Sequence, residues 1–141
     1  MATKVDFTPE EWDRLHTGVT GAGMLVSLSD RDLSDSFGES TAMAKYLAGQ
    51  ATAGPTELVR ELARVHGTGF GITASPEKIR AATMEALTAS VATLAAKAPD
   101  ELQAYRALVL GIMQAVAAAK GGVTPVETSM IEQIEAALGE G

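Results

Sequence analysis

The residues best suited to chemistry lie in one stretch, Asp30-Arg31-Asp32-Leu33-Ser34-Asp35-Ser36-Phe37-Gly38-Glu39, the most oxygen-rich part of the chain. Hard cations such as Ca²⁺ or Mg²⁺ require several carboxylates and carbonyls converging from one loop. Asp30, Asp32 and Ser34 fall at the first, third and fifth positions of an EF-hand-like loop. The match then fails: the sixth position is Asp35 where the sharp turn needs Gly, and the twelfth is Thr41 where a bidentate Glu should close the site. The same residues read first as a solvated acidic loop. A divalent cation held by Asp30, Asp32, Ser34, Asp35 and Glu39 is the alternative, although Glu39 is also placed to cap a helix.

Other reactive side chains do not assemble into a signature. His66-Gly67-Thr68-Gly69-Phe70-Gly71 is Gly-rich, but a phosphate-binding loop follows a strand and carries a Lys before Ser or Thr. It reads as a connection between helices, with Phe70 and Ile72 available to dock it. His16 and His66 have no Glu-x-x-His or His-x-x-x-His partner, which excludes a di-iron bundle. Each is expected at the surface or its boundary. Ser27, Ser29, Ser90 and Ser129 lack a Gly-x-Ser-x-Gly elbow. Glu57 and Glu61 stand one helical turn apart beside Arg60 and Arg64, the pattern of a solvated salt-bridging face. An enzyme would need a cleft where Tyr46, His66 or Tyr105 converge.

Bulk properties narrow the classes further. A chain of 141 residues with 46% hydrophobic and 21% charged residues has the composition of one globular domain. A net charge of −7 argues against a nucleic-acid or anionic-membrane partner, both of which need a positive surface. With no cysteine, disulfides and thiolate metal sites are excluded. Met1 to Asp6 has no apolar core of a signal peptide, and the apolar runs are shorter than the roughly 20 residues of a membrane span. A cytoplasmic protein is expected.

The elements that must position these residues are helices. Aromatics make up only 4% of the chain and Ala, the strongest helix former, recurs throughout. All five prolines stand where a helix would begin. Thr8-Pro9-Glu10-Glu11 and Thr124-Pro125-Val126-Glu127 are full capping boxes, and Ser36-Phe37-Gly38-Glu39 fits the same rule without proline. Gly54-Pro55-Thr56-Glu57, Ser75-Pro76-Glu77 and Ala98-Pro99-Asp100-Glu101 are partial versions. The starts predict helices over about 9–28, 37–48 (ended by Gly49), 55–65, 76–96, 99 to the Gly121-Gly122 turn, and 125–138. In the first, Trp12, Leu15, Val19, Ala22 and Val26 share a face, and Gly18, Gly21 and Gly23 signal close packing or a kink. In the fifth, Leu102, Tyr105, Val109, Ile112, Val116 and Ala119 keep the same three-and-four spacing. The fourth carries Ile79, Leu87, Val91 and Leu94 with alanines nearly all round, which predicts a central helix buried on several sides.

A shift of 90 residues lays the first helix on the fifth: Pro9 on Pro99, Glu11 on Glu101, Leu15 on Tyr105, Val19 on Val109. A shift of 88 then lays Ser36 on Thr124, Glu39 on Glu127 and Tyr46 on Ile134. The expected fold is all-α: an orthogonal six-helix bundle, one domain over 1–141, built from two pseudo-symmetric hairpins (9–48 and 99–138) and two connecting helices. The segment Ala117-Ala118-Ala119-Lys120-Gly121-Gly122-Val123-Thr124-Pro125-Val126-Glu127 resembles the inter-helix turn of the tellurite-resistance TerB-like family. There an Ala-rich helix ends in Asp-Gly-x-Ile/Val-Ser/Thr with a capping Glu, and the hairpin occurs twice. The resemblance implies an all-helical fold, with metal binding and a link to stress or tellurite resistance in some members. Lys120 stands where that family keeps an acid. The expected function is a non-enzymatic interaction or stress-response module, acting through a protein partner or homo-oligomer. A divalent-cation-binding protein using 30–39 is the alternative, and a small-molecule enzyme the third reading.

Overall fold

The computed structural model describes residues 4–29, 36–64, 75–119 and 125–139. Among them are six α-helices and no strand: α1 (Pro9–Ser29), α2 (Ser36–Ala53), α3 (Glu57–Ala63), α4 (Pro76–Lys97), α5 (Leu102–Ala119) and α6 (Pro125–Leu138). Short 3-10 turns precede α1 (Lys4–Asp6) and α5 (Pro99–Glu101). The fold is all-α, as the capping pattern and apolar spacing require. No helix among the described residues is long and apolar enough to cross a membrane.

The capping chemistry explains both the agreements and the shifts. Thr8 and Glu11 form the reciprocal box: the Glu11 amide donates to Thr8 Oγ1 at 3.1 Å and the Thr8 amide donates to Glu11 Oε1 at 2.8 Å. Two N-caps are single-sided, with Thr56 accepting from the Val59 amide at 3.2 Å and Ser75 from the Lys78 amide at 3.2 Å. The third helix therefore starts at Glu57, not Pro55. At Pro99 the α-helix is delayed by one 3-10 turn. The Ala98 amide is already committed to closing α4, donating to Leu94 O at 2.7 Å, so Glu101 has no free cap amide to reach back to. The box at Thr124 lies outside the described residues, and so does the side-chain half of the one at Ser36.

Gly49 does not end α2, which runs on to Ala53. An isolated Gly costs a helix only about 1 kcal/mol against Ala, and the real stop is Gly54-Pro55. A Cβ at Gly49 would meet nothing within 4 Å, so Gly49→Ala is expected to raise stability by about 0.5–1 kcal/mol. Urea unfolding checks this, and a loss would show that the site is not open.

The core is built by α1 and α5. From α1 it takes Trp12, Leu15, Val19, Ala22, Leu25 and Val26, and from α5 Tyr105, Leu108, Val109, Ile112, Met113, Val116 and Ala117. Helix α4 differs from the expectation: Ile79, Leu87 and Leu94 are buried, whereas Ala81, Ala92, Ala95 and Ala96 face outward. It is buried on one side, where Ala86 joins the core, and its outward alanines are there as helix formers.

The glycines of α1 mark close approach. A Cβ on Gly18 would fall inside 3.0 Å of the Tyr105 hydroxyl and 2.9 Å from Leu87 Cδ2, and one on Gly21 would stand 3.0 Å from Thr83 Cβ and closer still to its hydroxyl. Gly111 of α5 is covered in the same way by the Tyr46 ring of α2. Gly21 and Gly111 are equivalent under the 90-residue shift yet receive different helices, α4 and α2. Leu15 and Tyr105, equivalent under the same shift, touch each other.

Candidate functional site

Asp30, Asp32, Ser34 and Asp35 of the acidic stretch lie outside the described residues, between the end of α1 and the start of α2. Glu39 falls within the first turns of α2, with its side chain outside them. His66, Phe70 and Ile72 are likewise outside. Among the described residues, no group of three or more His, Asp or Glu side chains is placed to hold a metal ion.

What the described residues bring together is a polar seam inside the bundle. His16 and Thr20 of α1, Thr83 and Ser90 of α4, and Tyr105 of α5 are all buried. For His16 this corrects the surface expectation, since the residue is only 8% exposed. The signal was present in the spacing: Trp12, His16 and Thr20 recur at four-residue intervals, one stripe of a helix adjoining the Leu15–Val19 face. Thr20 Oγ1 donates to the His16 carbonyl at 3.1 Å.

Tyr105 dominates the seam. Its ring is fully buried, and its hydroxyl passes over Gly18 to donate to the Leu15 carbonyl at 2.8 Å. A helical carbonyl has a second lone pair beyond its i+4 amide, so this bond leaves the α1 ladder intact. Burial pushes the phenol far above its ordinary range, and the nearby Ser90 hydroxyl pulls the other way without closing a hydrogen bond of good geometry. A sealed, neutral phenol bonded to backbone is a structural group. Of Tyr46, His66 and Tyr105, on which an enzyme would depend, His66 lies outside the described residues, and the two phenols sit at different helix contacts, Tyr105 over Gly18 and Tyr46 over Gly111. Tyr46 stands apart over Gly111, half-buried, with its phenol also raised by burial.

Among the described residues, Thr83 Oγ1, Ser90 Oγ and Glu101 Oε2 are buried without a hydrogen bond of good geometry. Thr83 Oγ1 sits along the direction in which Gly21 would carry a Cβ, the placement of a weak Cα–H···O contact. Such a contact replaces only part of the hydration lost on burial.

At one end of the seam Lys97 closes α4 onto the start of α1. Its Nζ lies 2.6 Å from Glu11 Oε1 and 3.4 Å from the Asp6 carbonyl, and 5.8 Å from the centre of the Phe7 ring. Phe7 in turn tilts against Trp12 at 6.4 Å between ring centres. The hydrogen bond from Lys97, aided by the Thr8 amide, holds the Glu11 carboxyl below its ordinary range. On the α3 face the two arginines also reach back to α2. Arg60 donates to Gly54 O at 2.9 Å and Arg64 to Ala51 O at 3.3 Å, so both guanidiniums cover the C-terminal carbonyls of α2.

The phenol chemistry sets an alkaline limit. The folded state keeps Tyr105 neutral while the unfolded chain ionises it near pH 10, so its contribution is complete below that pH and is lost as pH rises past it. An ultraviolet titration should show one of the two tyrosines ionising only together with unfolding, with Tyr105→Phe abolishing the coupling. Reversible ionisation of both in the folded protein would contradict the burial.

Compared with protein-family models, with curated proteins and with solved structures, the chain matches none.

Proposed function

We propose that this chain is a non-enzymatic helical interaction module of the TerB-like type, acting by binding protein partners, a second copy of itself among them. The observation that carries this reading is a set of half-buried methionines, one each on α1, α2, α4 and α6. Met24, Met43, Met84 and Met130 each pack on the core while keeping part of their surface open. Methionine is unbranched and polarisable, so such positions can adapt to a partner where Leu or Val would dictate one shape. The outward face of α4, with Ala81, Ala92, Ala95 and Ala96, adds a surface that a neighbouring helix can approach closely. Tyr105, the most strongly perturbed phenol, is taken up by helix packing, which favours an architectural use of the seam over a catalytic one.

The net charge of −7 directs the partner away from polyanions and makes self-association sensitive to salt, because screening relieves repulsion between like-charged copies. Light scattering of the purified chain, together with co-purification from the native host, tests the proposal. Association with itself or with a recurring protein is expected. A strict monomer that retains no partner would contradict it.

A further inference from the structure

The three most extensive helix pairings, α1 with α4, α1 with α5 and α2 with α5, all join residues 4–64 to residues 75–139. Within either half the described residues meet less: α2 packs on α3, but α1 meets α2, and α4 meets α5, over only a few residues. The Tyr105–Leu15 hydrogen bond, the Lys97–Glu11 ion pair and the close approaches at Gly18, Gly21 and Gly111 also cross between the halves. The halves interlock, each supplying the central helix of the other's core, and one covalent segment, residues 65–74, joins them. That segment carries Gly67, Gly69 and Gly71 in its sequence.

We propose that two copies of this chain associate by exchanging halves, residues 4–64 of one docking onto residues 75–139 of the other. This rests on the self-association in the function proposed above and names its partner and its mode. An exchanged pair recreates every contact of the closed monomer, because the surface that each half seeks is its own counterpart in another copy. No new complementary surface is required. The interface to be opened is also weaker than its extent suggests. Thr83 and Ser90, on the α4 face that meets α1, hold buried hydroxyls that close no hydrogen bond of good geometry, and these regain water when the halves part. Opening therefore costs less at the seam where the two hydroxyls lie, and high chain concentration then selects reclosure on a second copy.

The test uses the full chain, which has no native cysteine, with Glu11→Cys and Lys97→Cys introduced together. The protein is refolded at high concentration, sized by light scattering, treated with a short bismaleimide and separated under denaturing conditions. Exchange requires that the dimer become covalently dimeric, since residue 11 of one chain then faces residue 97 of the other. A dimer whose cross-links close only within single chains would overturn exchange while leaving self-association standing. A monomer at every concentration would overturn exchange and the self-association it rests on. Thr83→Val with Ser90→Ala provides a kinetic check. The dimer should form several-fold more slowly than with the parent seam, and an unchanged rate would remove the role given to the two hydroxyls.

Discussion

Tyr105→Ala is expected to lower the unfolding free energy by about 3–5 kcal/mol, the usual range for deleting a fully buried aromatic ring. Against the roughly 5–15 kcal/mol of a typical domain, such a loss leaves the chain marginal or unfolded at room temperature. Two contributions combine here. The ring is fully buried between α5 and α1, and the hydroxyl passes over Gly18 and ties the two helices through the Leu15 carbonyl. Tyr105→Phe separates them, because it keeps the packing and removes the bond. It should cost only about 1 kcal/mol, the net worth of one neutral hydrogen bond. Urea unfolding of both variants measures the difference. A loss below about 1 kcal/mol for the alanine variant would mean that the ring does not occupy this position.

The second large effect reverses the ordinary rule for glycine in a helix. By propensity alone Gly21→Ala should stabilise α1 by about 1 kcal/mol. The Cβ would instead enter the space of the Thr83 side chain, whose own Cβ would be only 3.0 Å away. Both positions are buried in a helix pair, so relief requires α4 to shift, and overpacking of this kind costs about 1–3 kcal/mol. A net loss of about 1–2 kcal/mol is therefore expected from these two ranges. In a Thr83→Ala background the same substitution should be markedly better tolerated, giving a coupling of about 1 kcal/mol in a double-mutant cycle. Strict additivity would show that the two side chains do not meet. Gly49→Ala is the internal control, since the same substitution in an open helical position carries the propensity gain alone.

The contrast between Gly21 and Gly49 also shows what was legible in the sequence. Both are helical glycines, and the pattern around them is equally apolar. Position 21 was readable as close packing or a kink, and the structure selects close packing. The helix that fills it is supplied by Thr83, far along the chain, and no local pattern carries that pairing. Helix existence was largely readable, because capping boxes and three-and-four spacing are local: α6 begins at Pro125 and ends at Leu138 as the spacing requires. Boundaries moved wherever a cap competed with a neighbour, as at Ala98, whose amide closes α4 before α5 can use it. The alanines of α4 misled the burial reading because Ala serves equally as a core residue and as an exposed helix former. The buried seam was missed since His16, Thr83 and Ser90 are polar, and composition assigns such residues to the surface. The acidic stretch 30–39 was singled out by composition, and the described residues add only that 30–35 lie between α1 and α2 while 36–39 open α2.

The central claim is that this fold works by association. Light scattering across a wide range of chain concentrations, at low and at high salt, tests it most directly. The expected result is a mass that rises above the 14.6 kDa of one chain with concentration, and rises further when salt screens the net charge of −7. A mass fixed at 14.6 kDa under every condition would contradict it.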